Sequence, residues 1–143
     1  MKLNPVEKDL LLATSMDRNI FVADLRDKTK ISRTQLVNKF ACGAWNPQEP
    51  FNLIAGNEDG NIYGFDMRKL DKVSKLYKGH SSAVLDVAFS PTGREFVSGS
   101  FDRTLRIFEV GRGVSRDTYH AKRMQKVWAV GWRGDDQVIF FSF

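Results

Sequence analysis

Cysteine is nearly missing from this 143-residue chain, which holds only Cys42. One thiol cannot form an internal disulfide, so no disulfide framework is expected, and a reducing intracellular compartment fits best. Histidine is almost as scarce, at two residues, and no His and Cys cluster has the spacing of a zinc site. No apolar run approaches the roughly 20 residues that a membrane-spanning helix needs. The longest runs, such as 138–141, have strand length, and the expectation is a protein outside the membrane. Near the start, Glu7 and Asp9 interrupt the Leu run before it reaches signal-peptide length, so no export is expected. The sequence also lacks a glycine-rich phosphate loop, a nucleophile elbow and a paired-His motif, while Cys42 falls inside a strand pattern as a packed thiol. The chain is therefore read as a non-enzyme, with no catalytic residue, no cofactor, no metal and no small-molecule substrate.

The residues that are plentiful point to a folded domain. Hydrophobic residues make up 42% and charged residues 27%, and eleven Phe with three Trp supply a core for one domain of ordinary size. Basic residues outnumber acidic ones by 22 to 17, a formal charge of +5. Such an excess suits an anionic partner and equally suits a solvated basic surface. Its densest part is 112–126, where Arg112, Arg116, Lys122, Arg123 and Lys126 face one acid, Asp117.

Three segments superpose in sequence: 4–26, 46–68 and 90–112. Each opens on Asn-Pro or Ser-Pro, at Asn4, Asn46 and Ser90. An apolar pair and a small-residue stretch follow, then an Asp at 17, 59 or 102, then an alternating strand. In the third unit, 84–89 reads as a buried strand, 90–93 as a Ser-Pro-Thr-Gly turn and 95–100 as a second strand. Asp102-Arg103 turns the chain into 104–108, a half-buried third strand with Leu105 and Ile107 on one face and Arg106 and Phe108 on the other. The second unit repeats this over 41–45, 51–57 and 61–65, with a turn at Asp59-Gly60. Helical periodicity is nowhere sustained for three turns. The expected fold class is all-β, built of repeats that bury strand surfaces by stacking on their neighbours.

Gly79-His80, Val84, Val87, Phe89-Ser90-Pro91, Ser98-Gly99-Ser100, Asp102 and Phe108 together resemble one blade of a WD-repeat β-propeller, in which the fourth strand precedes the Gly-His pair. The resemblance implies structural blade residues at His80, Ser98 or Ser100, and Asp102, with turn aspartates at Asp17 and Asp59. His80 is read as a buried structural partner of Asp102. Where the family has Trp, this chain has Ala23, Phe65 and Phe108, which removes an indole donor from the network.

More particular runs extend the likeness: Asn4-Pro5-Val6-Glu7, Ser15 to Ile20, Cys42 to Pro47, Asn57-Glu58-Asp59, Phe65-Asp66-Met67-Arg68, Ser82 to Val87, Ser90-Pro91-Thr92-Gly93, and Tyr119 to Gln125. Together they are similar to the WD-repeat and SOF-domain family of the small-subunit processome, also associated with a cullin ubiquitin ligase. That resemblance implies a nucleolar, nuclear scaffold in precursor ribosomal RNA processing. Its implied partners are processome proteins, a small nucleolar ribonucleoprotein and pre-ribosomal RNA. On this reading Arg112, Arg116, Lys122, Arg123 and Lys126 are candidate RNA or partner contacts, with a solvated loop as the alternative. Residues 53–68 resemble the box by which some WD proteins dock a cullin adaptor. Asp59, Asp66 and Arg68 would be its polar anchors, and Asp24 and Arg26 their counterparts in the first unit. The competing functions are a substrate-receptor or adaptor propeller of a cullin-type ligase, and a generic protein-interaction propeller.

The units are placed at about 1–26, 40–68, 80–112 and 120–143, the last incomplete. It opens at 127–132, with Trp132 43 residues after Phe89, and then gives way to the apolar run 138–143. Propellers close with about 4 to 8 blades. The sequence therefore reads as a partial propeller, an internal slice with unpaired edges that invite aggregation or self-association.

Overall fold

The computed structural model describes residues 1–27, 31–120, 122–135 and 137–142. Ala121 of the 119–125 run and Phe143 of the terminal apolar run lie outside the described residues. The first sheet contains β1 (Lys2–Leu3), β2 (Leu10–Thr14), β3 (Asn19–Asp24) and β4 (Ile31–Gln35). A second contains β5 (Phe40–Trp45), β6 (Asn52–Asn57), β7 (Ile62–Asp66) and β8 (Val73–Tyr77). The third contains β9 (Val84–Phe89), β10 (Glu95–Ser100), β11 (Leu105–Glu109) and β12 (Ser115–Tyr119). Each is a four-stranded antiparallel meander in chain order. A two-stranded hairpin of β13 (Val127–Trp132) and β14 (Val138–Ser142) follows. The only helix among the described residues is one 3₁₀ turn, Met67–Lys69.

Short spacing and turn chemistry explain the meander. Gly60, Arg18 and Arg103 occupy the same position of the turn into the third strand and all have positive φ, at 87°, 70° and 68°. That conformation costs a Cβ-bearing residue more than it costs glycine. In the second blade glycine is also sterically required, since a Cβ on Gly60 would meet the His80 carbonyl oxygen at 2.7 Å.

The sheets stack through their first strands, with β5 packed on β9 and β9 on β13. Gly56 and Gly99 make this approach possible. A Cβ on Gly56 would lie 2.7 Å from a Val84 methyl, and one on Gly99 would lie 2.5 Å from a Val127 methyl. The core forms one layer per junction. Leu12, Ile20, Phe40, Leu53 and Phe65 fill the first, Val84, Val87, Phe96, Phe108 and Tyr77 the second, and Val97, Leu105, Ile107, Met124 and Val127 the third. Full burial of one such aliphatic or aromatic side chain stabilises by roughly 1.5–3 kcal/mol.

Several sequence expectations are corrected. The third strand of the third unit, β11, is buried on both faces: Leu105 and Ile107 enter one layer and Phe108 enters another. A sheet flanked by blades on both sides has no solvent face. Conversely, only Val84 and Val87 of β9 are fully buried. Phe51 stands before β6 and is exposed. The sequence units stop short of their fourth strands, because β4, β8 and β12 fall in the intervals between them. Beside β14, a cleft is lined by Leu105, Ile107, Met124, Trp132, Val138 and Phe140.

Candidate functional site

His80 leads into β9, Ser98 lies on β10, and Asp102 sits in the turn before β11; the fold brings all three together inside the third blade. His80 Nε2 is 2.7 Å from Ser98 Oγ, and Nδ1 is 3.0 Å from Asp102 Oδ2. Their side chains are almost fully sealed, at 0% exposure for His80 and 6% for Asp102. Thr104, which sequence reasoning misses, closes the set: its hydroxyl donates to Asp102 Oδ1 at 2.5 Å and lies 3.1 Å from His80 Nδ1. Backbone N–H groups of Ser81 and Thr104 donate to the same carboxylate at 3.0 and 2.9 Å.

With Nδ1 protonated, the ring donates to Asp102, while Nε2 meets the Ser98 hydroxyl, which also approaches the Arg106 carbonyl at 3.5 Å, so every member has a partner. Burial on its own would raise the Asp102 carboxyl, but the hydrogen bonds from His80 and Thr104 outweigh it and hold the group well below the usual carboxylate range. Ser100 acts beside this set and not within it, since its hydroxyl donates to the Ala83 carbonyl at 2.8 Å and accepts from the Asp102 N–H. Phe108 stands where an indole would complete the set and makes a tilted ring contact with His80 at 6.5 Å. This arrangement orders the turn between β10 and β11.

The other two turn aspartates act without histidine. Asp17 accepts a hydrogen bond from the Ser15 hydroxyl, which lowers its pKa. Asp59 accepts from Asn61 N–H at 2.8 Å and from the Tyr63 hydroxyl at 2.6 Å.

Two further kinds of contact join one blade to the next. Asn4 Nδ2 donates to the Pro50 carbonyl at 2.6 Å, and Asn46 Nδ2 donates to the Gly93 carbonyl at 3.1 Å. Trp45 Nε1 donates to the Lys2 carbonyl at 3.1 Å, and Trp132 Nε1 to the Ala88 carbonyl at 3.0 Å. The signal for the first kind is the repeated Asn-Pro, whose link to a neighbouring blade needs the tertiary stacking to become visible. Asp86 joins β9 to β13 by accepting the Val130 N–H at 3.0 Å, while burial raises its carboxyl pKa.

The proposed box does not form one cluster. Asp59 precedes β7 and Asp66 ends it, so the two lie about 20 Å apart along the strand. Asp66 and Arg68 do meet: Arg68 Nη2 donates to Asp66 Oδ2 at 2.7 Å and Arg68 Nε to Oδ1 at 3.0 Å. The guanidinium stays 62% exposed and lies 4.3 Å from the Phe51 ring centroid. Asp24 and Arg26 repeat the pair, with Arg26 Nε 3.1 Å from Asp24 Oδ1. In the third blade Glu109 and Arg112 take the place of the pair, at 3.2 Å.

The basic segment also divides. Arg112 is paired with Glu109, and Arg116 with Glu95 and Asp117, so these two belong to the third blade's own electrostatics. Lys122 and Arg123 are exposed and have no ion pair among the described residues, and Lys126 sits over aromatic rings. Among the described residues no group of three metal-ligating side chains occurs. No helix among them is long and apolar enough to cross a membrane.

Comparison with known proteins agrees with this architecture. The family described as "WD domain, G-beta repeat" matches residues 71–109, from the approach to β8 to the end of β11. The chain is 46% identical over 141 residues to DDB1- and CUL4-associated factor 13 of Danio rerio, covering 97% of this chain and 31% of that protein. Against the Homo sapiens protein of the same name identity is 48% over 139 residues, again 97% of this chain and 31% of the relative. Against Protein SOF1 of Saccharomyces cerevisiae it is 44% over 142 residues, 97% of this chain and 28% of the relative. The chain thus spans less than a third of the length of these curated relatives.

Proposed function

We propose, from the premise that this chain is a run of WD-repeat blades similar over 97% of its length to SOF1 and to DDB1- and CUL4-associated factor 13, that it serves as a non-catalytic scaffold in small-subunit ribosome biogenesis. In this reading it works in the nucleolus, within the processome that matures precursor ribosomal RNA, and its blades offer rigid surfaces to processome proteins and a small nucleolar ribonucleoprotein. The observation that carries the proposal is the near-complete alignment with SOF1. The site geometry supports it, because the buried polar groups are spent on turns and blade junctions. Depleting the protein in its source cells should cause small-subunit precursor RNA to accumulate, with rescue by the wild-type gene. Normal precursor levels after depletion would count against it.

A second reading rests on the name of the relatives and on one local feature. Asp66 holds the exposed Arg68 fork in a fixed orientation on the blade surface, which suits recognition of carbonyl or carboxylate groups on a cullin adaptor. Arg26, held by Asp24, would offer the same fork one blade earlier. Replacing Asp66 and Arg68 by Ala should abolish adaptor co-purification; full recovery from a folded variant would rule out this docking site.

A further inference from the structure

We propose that the junction of the third and fourth blades carries a stacking platform for single-stranded RNA, formed by Phe101, Trp128 and Lys126. This rests on the scaffold reading above and gives it a place of RNA contact. Phe101 lies in the turn between β10 and β11 and Trp128 on β13, and the two residues are 44% and 48% exposed. Lys126 Nζ lies 4.0 Å from the Phe101 ring centroid and 6.0 Å from that of Trp128, so one ammonium spans the two rings.

The local backbone fixes this geometry. The Phe101 N–H donates to the Ala83 carbonyl at 3.0 Å, which ties the turn to the strand entry. The ladder between β13 and β14 shifts register between Val127 and Ala129, leaving Trp128 at an irregularity that re-aims its side chain. The indole N–H of Trp128 has no partner among the described residues, whereas those of Trp45 and Trp132 are both bonded.

Repeat equivalence shows that the blade architecture does not demand these residues. The first strands of the second and third blades have the same register shift, between Phe40 and Cys42 and opposite Gly99 and Ser100. There the residues equivalent to Trp128 are Ala41 and Leu85, and those equivalent to Phe101 in the first two blades are Met16 and Glu58. Only this junction among the described residues combines two exposed rings with a cation. Lys122 and Arg123, exposed on the loop leading into Lys126, extend the positive charge along the chain. Flat exposed rings beside unpaired cations are what a single strand needs: bases stack on the rings and phosphates meet the lysines and arginine. A duplex, whose bases are already stacked, offers no free base faces.

The test uses the full 143-residue chain and a fluorescein-labelled twelve-nucleotide oligouridine, read by anisotropy at two or more salt concentrations. W128L and F101M introduce residues that other blades already carry at these positions, so folding is preserved, which circular dichroism checks. Each should weaken binding by about five-fold or more. K126Q should weaken it and lower the salt dependence by about 0.7 of a counterion, whereas K126R retains both. A twelve-base-pair RNA duplex should bind more weakly than the single strand. No binding of the single strand, equal binding by duplex and single strand, or binding untouched by W128L and F101M would overturn the platform. The assay contains only this chain and RNA. A protein that accompanies precursor particles yet ignores the oligonucleotide would defeat this inference and leave the scaffold reading standing.

Discussion

Trp132 Nε1 donates to the Ala88 carbonyl at 3.0 Å across a blade junction, repeating what Trp45 does to Lys2 two junctions earlier. At the junction between them the equivalent residue is Phe89, which has no N–H and instead packs edge-on against Phe96 at 5.6 Å. The first strands are thus latched at alternate junctions by an indole. Trp132→Phe keeps an aromatic ring and removes the donor. It should lower unfolding stability by about 0.5–1.5 kcal/mol, measured by urea denaturation, with an unchanged midpoint showing that the latch contributes nothing.

Blade spacing makes a larger prediction. Gly99→Ala places a methyl against Val127, where the Cβ itself would stand 2.5 Å from a Val127 methyl and 3.0 Å from the Val127 Cβ. Relieving that contact requires the third and fourth sheets to separate. A loss of about 1–3 kcal/mol is expected, and a thermal midpoint equal to wild type would mean that the junction is looser than described.

The Asp102 network predicts a pH dependence with a definite sign. Because its pKa is depressed on folding, Asp102 stabilises the native state above the ordinary carboxylate value of about 3.9, and that contribution is lost as pH falls below it. Asp86, with its carboxyl raised by burial, acts in the opposite sense. Asp102→Ala should cost about 2–4 kcal/mol at neutral pH, and should flatten the acid limb of the stability profile. A profile with the same acid slope in the variant would assign acid sensitivity to other carboxylates.

Arg103 has φ 68° at the position that Gly60 occupies in the preceding blade. Arg103→Gly should therefore stabilise by about 0.5–1 kcal/mol. Gly60→Ala should destabilise, since its Cβ meets the His80 carbonyl. Both are read as shifts in thermal midpoint, and equal shifts of one sign would contradict the argument.

The parts of this architecture that depend on local chemistry are legible in the sequence. Asn-Pro, Ser-Pro and Asp-Gly fix turns through neighbouring residues, so the period and the first three strands of the second and third units can be placed; β9 and β10 match residue for residue. The fourth strands show no pattern of their own, and only the family resemblance places one, before Gly79-His80, where β8 runs. β4 (ISRTQ) and β12 (SRDTY) lie at the sheet edge, mostly exposed and polar, and show no apolar alternation. Burial of β11 on both faces depends on flanking blades, which no pattern within one unit reveals. His80, Ser98 and Asp102 can be grouped from the family pattern, but Thr104 cannot, because a threonine at a strand start has many local explanations. The basic segment shows its charge in sequence. The acids that neutralise Arg112 and Arg116 can be identified only once Glu95, Glu109 and Asp117 are placed beside them.

The central claim, a scaffold role in small-subunit assembly, is tested most directly by sedimentation. Extracts of source cells expressing the tagged protein are resolved on a density gradient, and each fraction is probed for the tag and for precursor small-subunit RNA. The account predicts that the tag peaks with large precursor-containing particles and shifts toward the top of the gradient at high salt. A tag confined to the light fractions at both low and high salt, while precursor particles sediment normally, would contradict it.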